Sequence, residues 1–341
     1  MNDLTTMESK FPSIMEGLKR ASNVFDSIKD FADIERVFLK GAGLSRNTYK
    51  SYLESVKQFY EYTNHSHPLQ CTQGDIEGFY DVLSTKVGRS TAYLRVMGLQ
   101  RFFKGIGNVI PFYTSPFELM EDRLYKKLHK TSTAKKTKSA LFKGEIERMI
   151  DFLNTGRSVR ELEDRAIVLM LLTSGLRASE LLSIRWKDIY ENEDEKTFCA
   201  TVERKGGNVE DVELYKPAID ATRIYFKKHL HRQPRKDDFL FYTIPSFASN
   251  KVERMTYQVL YLRVTGIGQA LRKAEIIKRN IQFTPHLMRR SFATYLSKSG
   301  MGLKAIQLKT GHSNIETLAK HYVDDSESTK GYFQQILPSV A

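Results

Sequence analysis

One stretch, residues 197–215, interrupts an otherwise helical pattern and so limits the folds that this chain can adopt. Two runs with strand character, 197–202 and 209–214, flank the segment Lys205-Gly206-Gly207-Asn208. Segments of this composition join antiparallel strands, because glycine accepts the positive φ angles of tight hairpins. The sequence therefore predicts a mainly α-helical protein with a small antiparallel β-sheet. Lys205 lies at the hairpin tip, where a lysine only aids solubility unless a ligand binds there.

The 341 residues of the chain suggest two domains. In the first part, apolar positions such as Val56 and Phe59 recur at helical spacing. We predict an N-terminal extension over residues 1–31 and a helical bundle over residues 32–131. Its helices are expected within 32–63 (with Ser45 or Asn47 as a cap), over 73–83 and over 90–103. The last of them begins with Gly88-Arg89-Ser90-Thr91, which offers a guanidinium, two hydroxyls and free amides to a phosphate.

A basic run separates this bundle from the next helical region. Seven lysines and arginines and no acidic residue occur between residues 123 and 138. Such a run is usually a solvated linker, and we place the linker at residues 132–139. Its lysines, Lys135, Lys136 and Lys138, suit a segment that lies along a phosphate backbone. Residues 140–341 then form the second predicted domain.

The second domain begins with patterns that predict buried helices. These patterns cover residues 143–153, 163–173, 218–231 and 256–274. Ser174-Gly175 ends the second helix, and Arg177 follows among apolar residues with Glu180 one turn later. A half-buried arginine needs a partner, which can be that carboxylate, a bound phosphate or both.

A further helix is predicted from Thr284, a good N-cap, with Pro285 at its first position. His286 and Arg289 are three residues apart and therefore neighbours on one face, while Phe292 helps to seat the helix. Free N–H groups and the positive end of the helix dipole favour an anion in the first turn. The pair suits a phosphate oxyanion, although a capped amphipathic helix with two solvated polar groups has the same pattern.

Net charge indicates the class of partner. The chain carries a formal charge of +13 and has a pI of about 9.5, which favours a polyanion, nucleic acid before membrane. It shows no apolar run of membrane-span length and no signal-peptide core. Cys71 and Cys199 are expected to be reduced thiols in the cytoplasm, with neither a disulfide nor a metal site.

The residues expected to bind DNA are Lys50, Arg89, Ser90, Tyr93, Arg95, Lys135, Lys136, Lys138 and Arg263.

The order of five motifs resembles a known catalytic signature. After residues 175–180 and the Lys205 hairpin come His286 with Arg289, then Gly311-His312, then Tyr322 on a helix that a capping box at Ser313 predicts. This order resembles the tyrosine recombinases, the phage-integrase-like family of Cre-like and Xer-like enzymes. The resemblance covers residues 140–330 well and residues 32–125 more loosely, and it implies that the helical bundle over residues 32–131 is the core-binding, DNA-binding domain of the family. The catalytic residues it implies are Arg177, Lys205, His286, Arg289, His312 and Tyr322.

The resemblance implies a site-specific recombinase with an α+β catalytic domain that cleaves and rejoins DNA through a 3′-phosphotyrosyl intermediate. In that family the two arginines clamp the scissile phosphate, and Glu180 matches an acidic position that braces the first of them. His312 would donate a hydrogen bond to the phosphate, and His286 would help to remove the proton of the attacking tyrosine. Lys205 would protonate the departing 5′ oxygen. No ATP, metal or other cofactor is implied.

Two departures from the family pattern concern the nucleophile and one neighbour of Arg289. Tyr322 follows His312 by ten residues, one more than is usual, and one residue turns a helix by about 100°. Tyr332 is the alternative nucleophile, but it lies beyond the acidic pair Asp324-Asp325. Arg290 stands where many relatives have histidine, which adds charge without removing a catalytic group.

Two classes of function remain open at this point. The first is a recombinase that acts as a homotetramer on two duplexes, each with an inverted-repeat site, with or without a partner recombinase. The second is a non-cleaving, DNA-binding relative that regulates or bends DNA. Residues 1–31 are too few for an arm-binding domain, which favours a Cre-like or Xer-like enzyme or a mobile-element resolvase over a lambda-like integrase.

The tail, residues 329–341, is expected to dock on a neighbouring subunit. We expect the protein at the nucleoid of a bacterium or as part of a phage or mobile element.

Overall fold

A computed structural model describes residues 44–64, 68–108, 113–118, 140–192, 197–204, 207–244 and 251–311. The chain divides into two compact units, Met1–Lys136 and Thr137–Ala341. Several predicted features lie outside the described residues, namely residues 1–31, the linker lysines Lys135, Lys136 and Lys138, the side chain of Ser90, the residues Lys205, His312, Tyr322 and Tyr332, and the tail 329–341.

The described part of the first unit is helical, as the sequence predicts. Its long helices are α1 (Arg46–Tyr62), α2 (Gln73–Lys86) and α3 (Arg89–Gly107). Ser45, one of the two predicted caps, accepts a hydrogen bond from the Thr48 amide at 3.3 Å. The Phe59 ring contacts the rings of Phe79 and Phe103 edge to face, with centroids 5.3 and 5.9 Å apart. These contacts hold α1 against α2 and α3 and add to the free energy of burying the rings.

The second unit is built around a buried helix, α5. Its helices are α4 (Lys143–Asn154), α5 (Val159–Ser174), α6 (Ala178–Ser183), α7 (Lys216–Leu230), α8 (Tyr257–Lys273), α9 (Pro285–Lys298) and α10 (Leu303–Thr310). Helix α5 contacts α4, α7, α8 and α9, and its apolar residues from Ala166 to Leu172 are all buried. It begins four residues before the predicted start, because Ser158 and Glu161 form a capping box.

Within the described residues, three strands form the predicted antiparallel sheet in the order β1 (Ile189–Asn192), β2 (Thr197–Glu203), β3 (Val209–Leu214). Ala200 on the central strand lies opposite Ile189 on one side and Val212 on the other. The sequence predicts β2 and β3 but not β1, which is short and largely polar. The mainly helical fold with a small antiparallel sheet is confirmed.

The start of the second unit is tied to helix α9. The Leu141 amide donates to Ser291 Oγ at 3.0 Å, and the Tyr295 hydroxyl donates to the Leu141 carbonyl. Nearby, Arg279 Nε lies 2.7 Å from Glu145 Oε1 on α4. The two bonds at Leu141 satisfy backbone groups that would otherwise be costly to bury. Residue 141 is therefore anchored to α9.

None of the helices that the structure describes is both long and apolar enough to cross a membrane.

Candidate active site

Gly175 brings the end of α5 to the start of α6. Its φ of +64° is the left-handed conformation that closes α5, and a Cβ at this position would collide with the Phe292 ring of α9. Position 175 therefore favours glycine for two reasons: glycine accepts a positive φ, and its lack of a side chain lets α9 approach closely. The turn places Arg177 at the N-cap of α6.

Arg177 is held by Glu180, as the spacing predicts. Its Nη1 lies 2.6 Å from Glu180 Oε1, and its own amide donates to Glu180 Oε2 at 2.8 Å. The Arg177 side chain is 30% exposed, whereas that of Glu180 is 4% exposed. Burial opposes ionisation of Glu180, but the hydrogen bonds from Arg177 and the nearby arginine charges outweigh it and lower the pKa of this carboxyl. Glu180 is thus an anion that fixes an arginine with part of its surface open to a ligand.

Arg289 reaches the same place from α9 but is far more buried. Its side chain is 3% exposed, and Nη1 donates to the Gly175 carbonyl at 2.7 Å. Nη2 donates to the Thr310 carbonyl at the end of α10, and Nη1 lies 3.9 Å from Glu180 Oε2. The structure therefore brings Arg177 and Arg289 together around one carboxylate.

A third arginine, Arg204, joins this cluster and was not among the sequence candidates. It follows β2 directly, its side chain is 4% exposed, and Nη1 lies 2.9 Å from Glu180 Oε2. The alternation along β2 is the signal that could have found it. Ala200 and Val202 face inward, so a period of two places Arg204 on the same buried face.

The three arginines also bind three successive carbonyls at the C-terminus of α10. Arg204 Nη2 donates to Lys309 O at 3.3 Å, Arg289 Nη2 to Thr310 O, and Arg177 Nη2 to Gly311 O at 2.7 Å. The last carbonyls of a helix have no intrahelical partner, and the negative end of its dipole favours cations. The end of α10 is thereby fixed at the arginine cluster, and its C-cap Gly311 directly precedes His312 in the chain.

His286 lies in the first turn of α9, where the Thr284 hydroxyl accepts a hydrogen bond from the Leu287 amide at 3.2 Å. The predicted cap is therefore confirmed. The His286 side chain is exposed, in contrast to that of Arg289 three residues later. Arg290, the departure noted from the sequence, is buried.

The predicted DNA-binding residues of the first unit differ in exposure. Lys50 on α1 and Arg89 at the start of α3 are exposed, and Tyr93 is half-buried. Arg95 is also half-buried, and its Nη1 donates to the Ser51 carbonyl at 3.3 Å.

Arg263 on α8 has protein partners instead of an open surface. Its Nε lies 3.0 Å from Glu163 Oε2, and Nη2 is paired with Asp164, both on α5. Burial raises the pKa of Glu163 to about 7 and that of Asp164 to about 6, against the lowering effect of Arg263. A phosphate that binds Arg263, as predicted from the sequence, would have to compete with these two carboxylates.

In the described parts of the chain, no group of three or more His, Cys, Asp or Glu side chains could hold a metal ion. Neither Cys71 nor Cys199 forms a disulfide.

Two family descriptions match the chain. The phage integrase family matches residues 139–329, and the N-terminal SAM-like domain of phage integrases matches residues 33–108. Among curated proteins, the tyrosine recombinase XerA of Pyrococcus furiosus is 26% identical over 82% of this chain and 84% of its own length.

Solved structures show the same fold. A XerH site-specific recombinase bound to a palindromic difH substrate superposes with a TM-score of 0.67 at 18% identity, over 96% of this chain and 88% of that one. A lambda integrase dimer bound to a core site gives a TM-score of 0.61 at 15% identity, over 88% of this chain and 96% of that one. The first family match spans more than half of the chain and contains the whole arginine cluster. The chain therefore belongs to the phage integrase family and is a tyrosine-type site-specific recombinase.

Proposed function

We propose that this recombinase cleaves and rejoins DNA through a 3′-phosphotyrosyl bond in which Tyr322 is the nucleophile. The observation that carries the proposal is the convergence of two arginines on one buried carboxylate. The guanidinium groups of Arg177 and Arg289 both lie within 4 Å of Glu180. The Arg177 side chain is 30% exposed, so part of this positively charged site is open to a ligand.

A phosphodiester fits this site. Guanidinium groups bind phosphate oxygens through short, charge-assisted hydrogen bonds, often two at a time. The phosphate can approach from the side of Arg177, whose side chain is partly exposed. Fixed positive charge of this kind stabilises the extra negative charge of a transition state without reorganisation.

The cleavage step follows from the roles that the family motif implies. The Tyr322 oxygen forms a bond to phosphorus while the bond between phosphorus and the 5′ oxygen breaks. His286 helps to take the phenolic proton, which is needed because a tyrosine with a pKa of about 10 is a weak nucleophile. Lys205 gives a proton to the 5′ oxygen, which leaves as a hydroxyl, and His312 donates a hydrogen bond to the phosphate. The phosphotyrosyl bond keeps the energy of the phosphodiester, so rejoining needs no ATP.

DNA binding is proposed to use both domains, residues 32–131 and 140–341, and the basic linker 132–139 between them. The formal charge of +13 supports a polyanionic partner. Exposed basic residues such as Lys50 and Arg89 are open to phosphates, whereas Arg263 is left out of the proposal because two carboxylates already bind it.

Recombination requires two duplexes, and we propose a homotetramer that binds inverted-repeat sites, with or without a partner recombinase. The tail 329–341 would dock on the neighbouring subunit, since its apolar residues Tyr332, Phe333, Ile336 and Leu337 are too few to form a core alone. Such a protein would act at the nucleoid in the cytoplasm.

The test is covalent trapping on DNA. A pool of nicked duplexes with randomised sequence is incubated with the protein, and the DNA that stays bound after denaturation is recovered and sequenced. The recovered duplex is then offered to Tyr322→Phe and, as the matched control, Tyr332→Phe. We expect Tyr322→Phe to bind the duplex and form no adduct, because it loses only the nucleophilic oxygen, and Tyr332→Phe to form the adduct. The reverse pattern would reject Tyr322, and binding without any wild-type adduct would support the non-cleaving alternative.

A further inference from the structure

The hairpin that carries Lys205 is closed by the backbone of Arg204. The Arg204 amide donates to the Asn208 carbonyl at 2.7 Å, and the Gly207 amide donates to the Arg204 carbonyl at 3.1 Å. Arg204 therefore makes the last backbone pairing before the turn, with Asn208, and Lys205 is its neighbour in the chain. Whatever fixes Arg204 fixes one end of the turn.

The Arg204 side chain connects this turn to the arginine cluster. All three guanidinium nitrogens have partners on different elements, Nη1 on Glu180 of α6, Nε on Glu210 of β3 and Nη2 on the Lys309 carbonyl of α10. Gly311 lies so close that a Cβ there would be 2.8 Å from Arg204 Nε. The Arg204 side chain thus connects three parts of the site: the hairpin, Glu180 on α6, and the C-terminus of α10.

The identity of this residue matters because a lysine cannot make the same set of contacts. A guanidinium is planar and offers donors in fixed directions, whereas an ammonium is a single point charge on a flexible stem. A lysine at position 204 could keep the ion pair with Glu180 but could not also span Glu210 and the Lys309 carbonyl. The substitution Arg204→Lys therefore keeps the positive charge and removes the geometry of the guanidinium group.

We propose that Arg204 is a positioning residue that holds the hairpin against α6 and α10, so that Lys205 can deliver its proton to the 5′ oxygen. This inference rests on the proposed function, in which Lys205 is the general acid of the cleavage step. It assigns Arg204 to proton delivery to the leaving group, and it leaves the stabilisation of charge on the phosphate to Arg177 and Arg289.

The experiment compares two leaving groups. The duplex recovered by covalent trapping is made with the ordinary 5′ oxygen or with sulfur at the same bridging position. A thiol has a pKa of about 8.5, so a thiolate departs without a proton, whereas an alkoxide needs one. Rates of adduct formation are measured for the wild type, Arg204→Met, Arg204→Lys, Lys205→Ala and Arg177→Ala. Glu213→Gln is the matched control, because its pair with Lys309 also joins β3 to α10, at the surface and without Arg204.

With oxygen, we expect both Arg204 variants and Lys205→Ala to be slower by roughly a hundredfold, the lower end of what a general acid contributes. With sulfur, these three variants should recover to within about tenfold of the wild type, while Arg177→Ala should stay slow on both substrates because it loses charge stabilisation. Glu213→Gln should match the wild type on both.

If Arg204→Lys and Arg204→Met remain as slow on sulfur as on oxygen, the inference is wrong and Arg204 acts through the phosphate clamp or through stability alone. Melting temperatures and DNA affinities are measured for each variant. If Arg204→Met does not fold, Arg204→Lys, which keeps the buried charge, decides between these outcomes. A wild type that forms no adduct on either substrate would reject the proposed function itself, which is a different outcome from a failure of sulfur rescue.

Discussion

Gly311→Ala tests the packing of Arg204 against the end of α10. Gly311 has a φ of +60°, and a Cβ there would lie 2.8 Å from Nε and 2.9 Å from Cζ of Arg204. A left-handed conformation costs a residue with a side chain about 1–2 kcal/mol. Displacing the guanidinium weakens at least one buried hydrogen bond to a charged group, worth about 1.5–3 kcal/mol. We therefore expect the free energy of unfolding to fall by about 2.5–5 kcal/mol, the sum of both ranges.

Gly300→Ala is the matched control. Gly300 also has a positive φ, +84°, but in the described part of the chain no heavy atom lies within 4 Å of a Cβ built there. It should lose only the conformational part, about 1–2 kcal/mol. In a domain of this size, 1 kcal/mol corresponds to a shift in melting temperature of about 2–4 °C. Calorimetry should thus find Gly311→Ala melting at least about 3 °C below Gly300→Ala.

The same pair of variants is then compared in DNA cleavage. Gly311→Ala should slow adduct formation by about tenfold or more, because a shift of 1.4 kcal/mol in the transition state already gives that factor. Gly300→Ala should cleave at the wild-type rate. Equal melting temperatures and equal cleavage rates would refute the reasoning, since packing against Arg204 would then contribute nothing.

Three further predictions concern the clamp, the linker and the tail. Arg177→Ala and Arg289→Ala should each slow adduct formation at least about a hundredfold while DNA affinity falls far less, and an equal loss of both would make that arginine a docking residue. Replacing the linker residues Lys135, Lys136 and Lys138 with Gln should make DNA binding less sensitive to salt. The slope of the logarithm of the DNA-binding constant against the logarithm of the salt concentration should fall in magnitude by up to about 0.9 for each phosphate that the linker no longer neutralises. An unchanged slope would show that the linker does not touch DNA. Deleting residues 329–341 should preserve binding to a single site and abolish cooperative assembly and recombination. A truncated protein that still assembles and recombines at the full rate would show that the tail does not join subunits.

The parts of the site that the sequence predicts are those with a local cause. Gly175 ends a helix because it accepts a positive φ, Glu180 meets Arg177 because residues three apart share a helix face, and Thr284 caps α9 through its own hydroxyl. The start of α5 also has a local signal, since Ser158 and Glu161 have the capping-box spacing.

The parts that the sequence does not predict depend on distant contacts. Arg204 binds Glu180, 24 positions earlier, and the Lys309 carbonyl, 105 positions later, and nothing in the turn indicates either partner. Charge alone predicts that Arg263 binds DNA, but its neighbours Glu163 and Asp164 come from another helix, 99 or more positions away. Strand β1 is too short to show the alternation that identifies β2 and β3.

The most direct test of the central claim is to locate the DNA on the protein. Trypsin cleaves after Lys320 and Lys330, so that Tyr322 and Tyr332 fall in different peptides, residues 321–330 and residues 331–341. The trapped adduct is digested with nuclease and trypsin, and mass spectrometry finds the peptide that carries the nucleotide remnant. We expect the remnant on the peptide 321–330, joined to Tyr322 through a 3′ phosphate. A remnant on the peptide 331–341, or a trapped complex with no covalent remnant on either tyrosine, would contradict the proposed nucleophile.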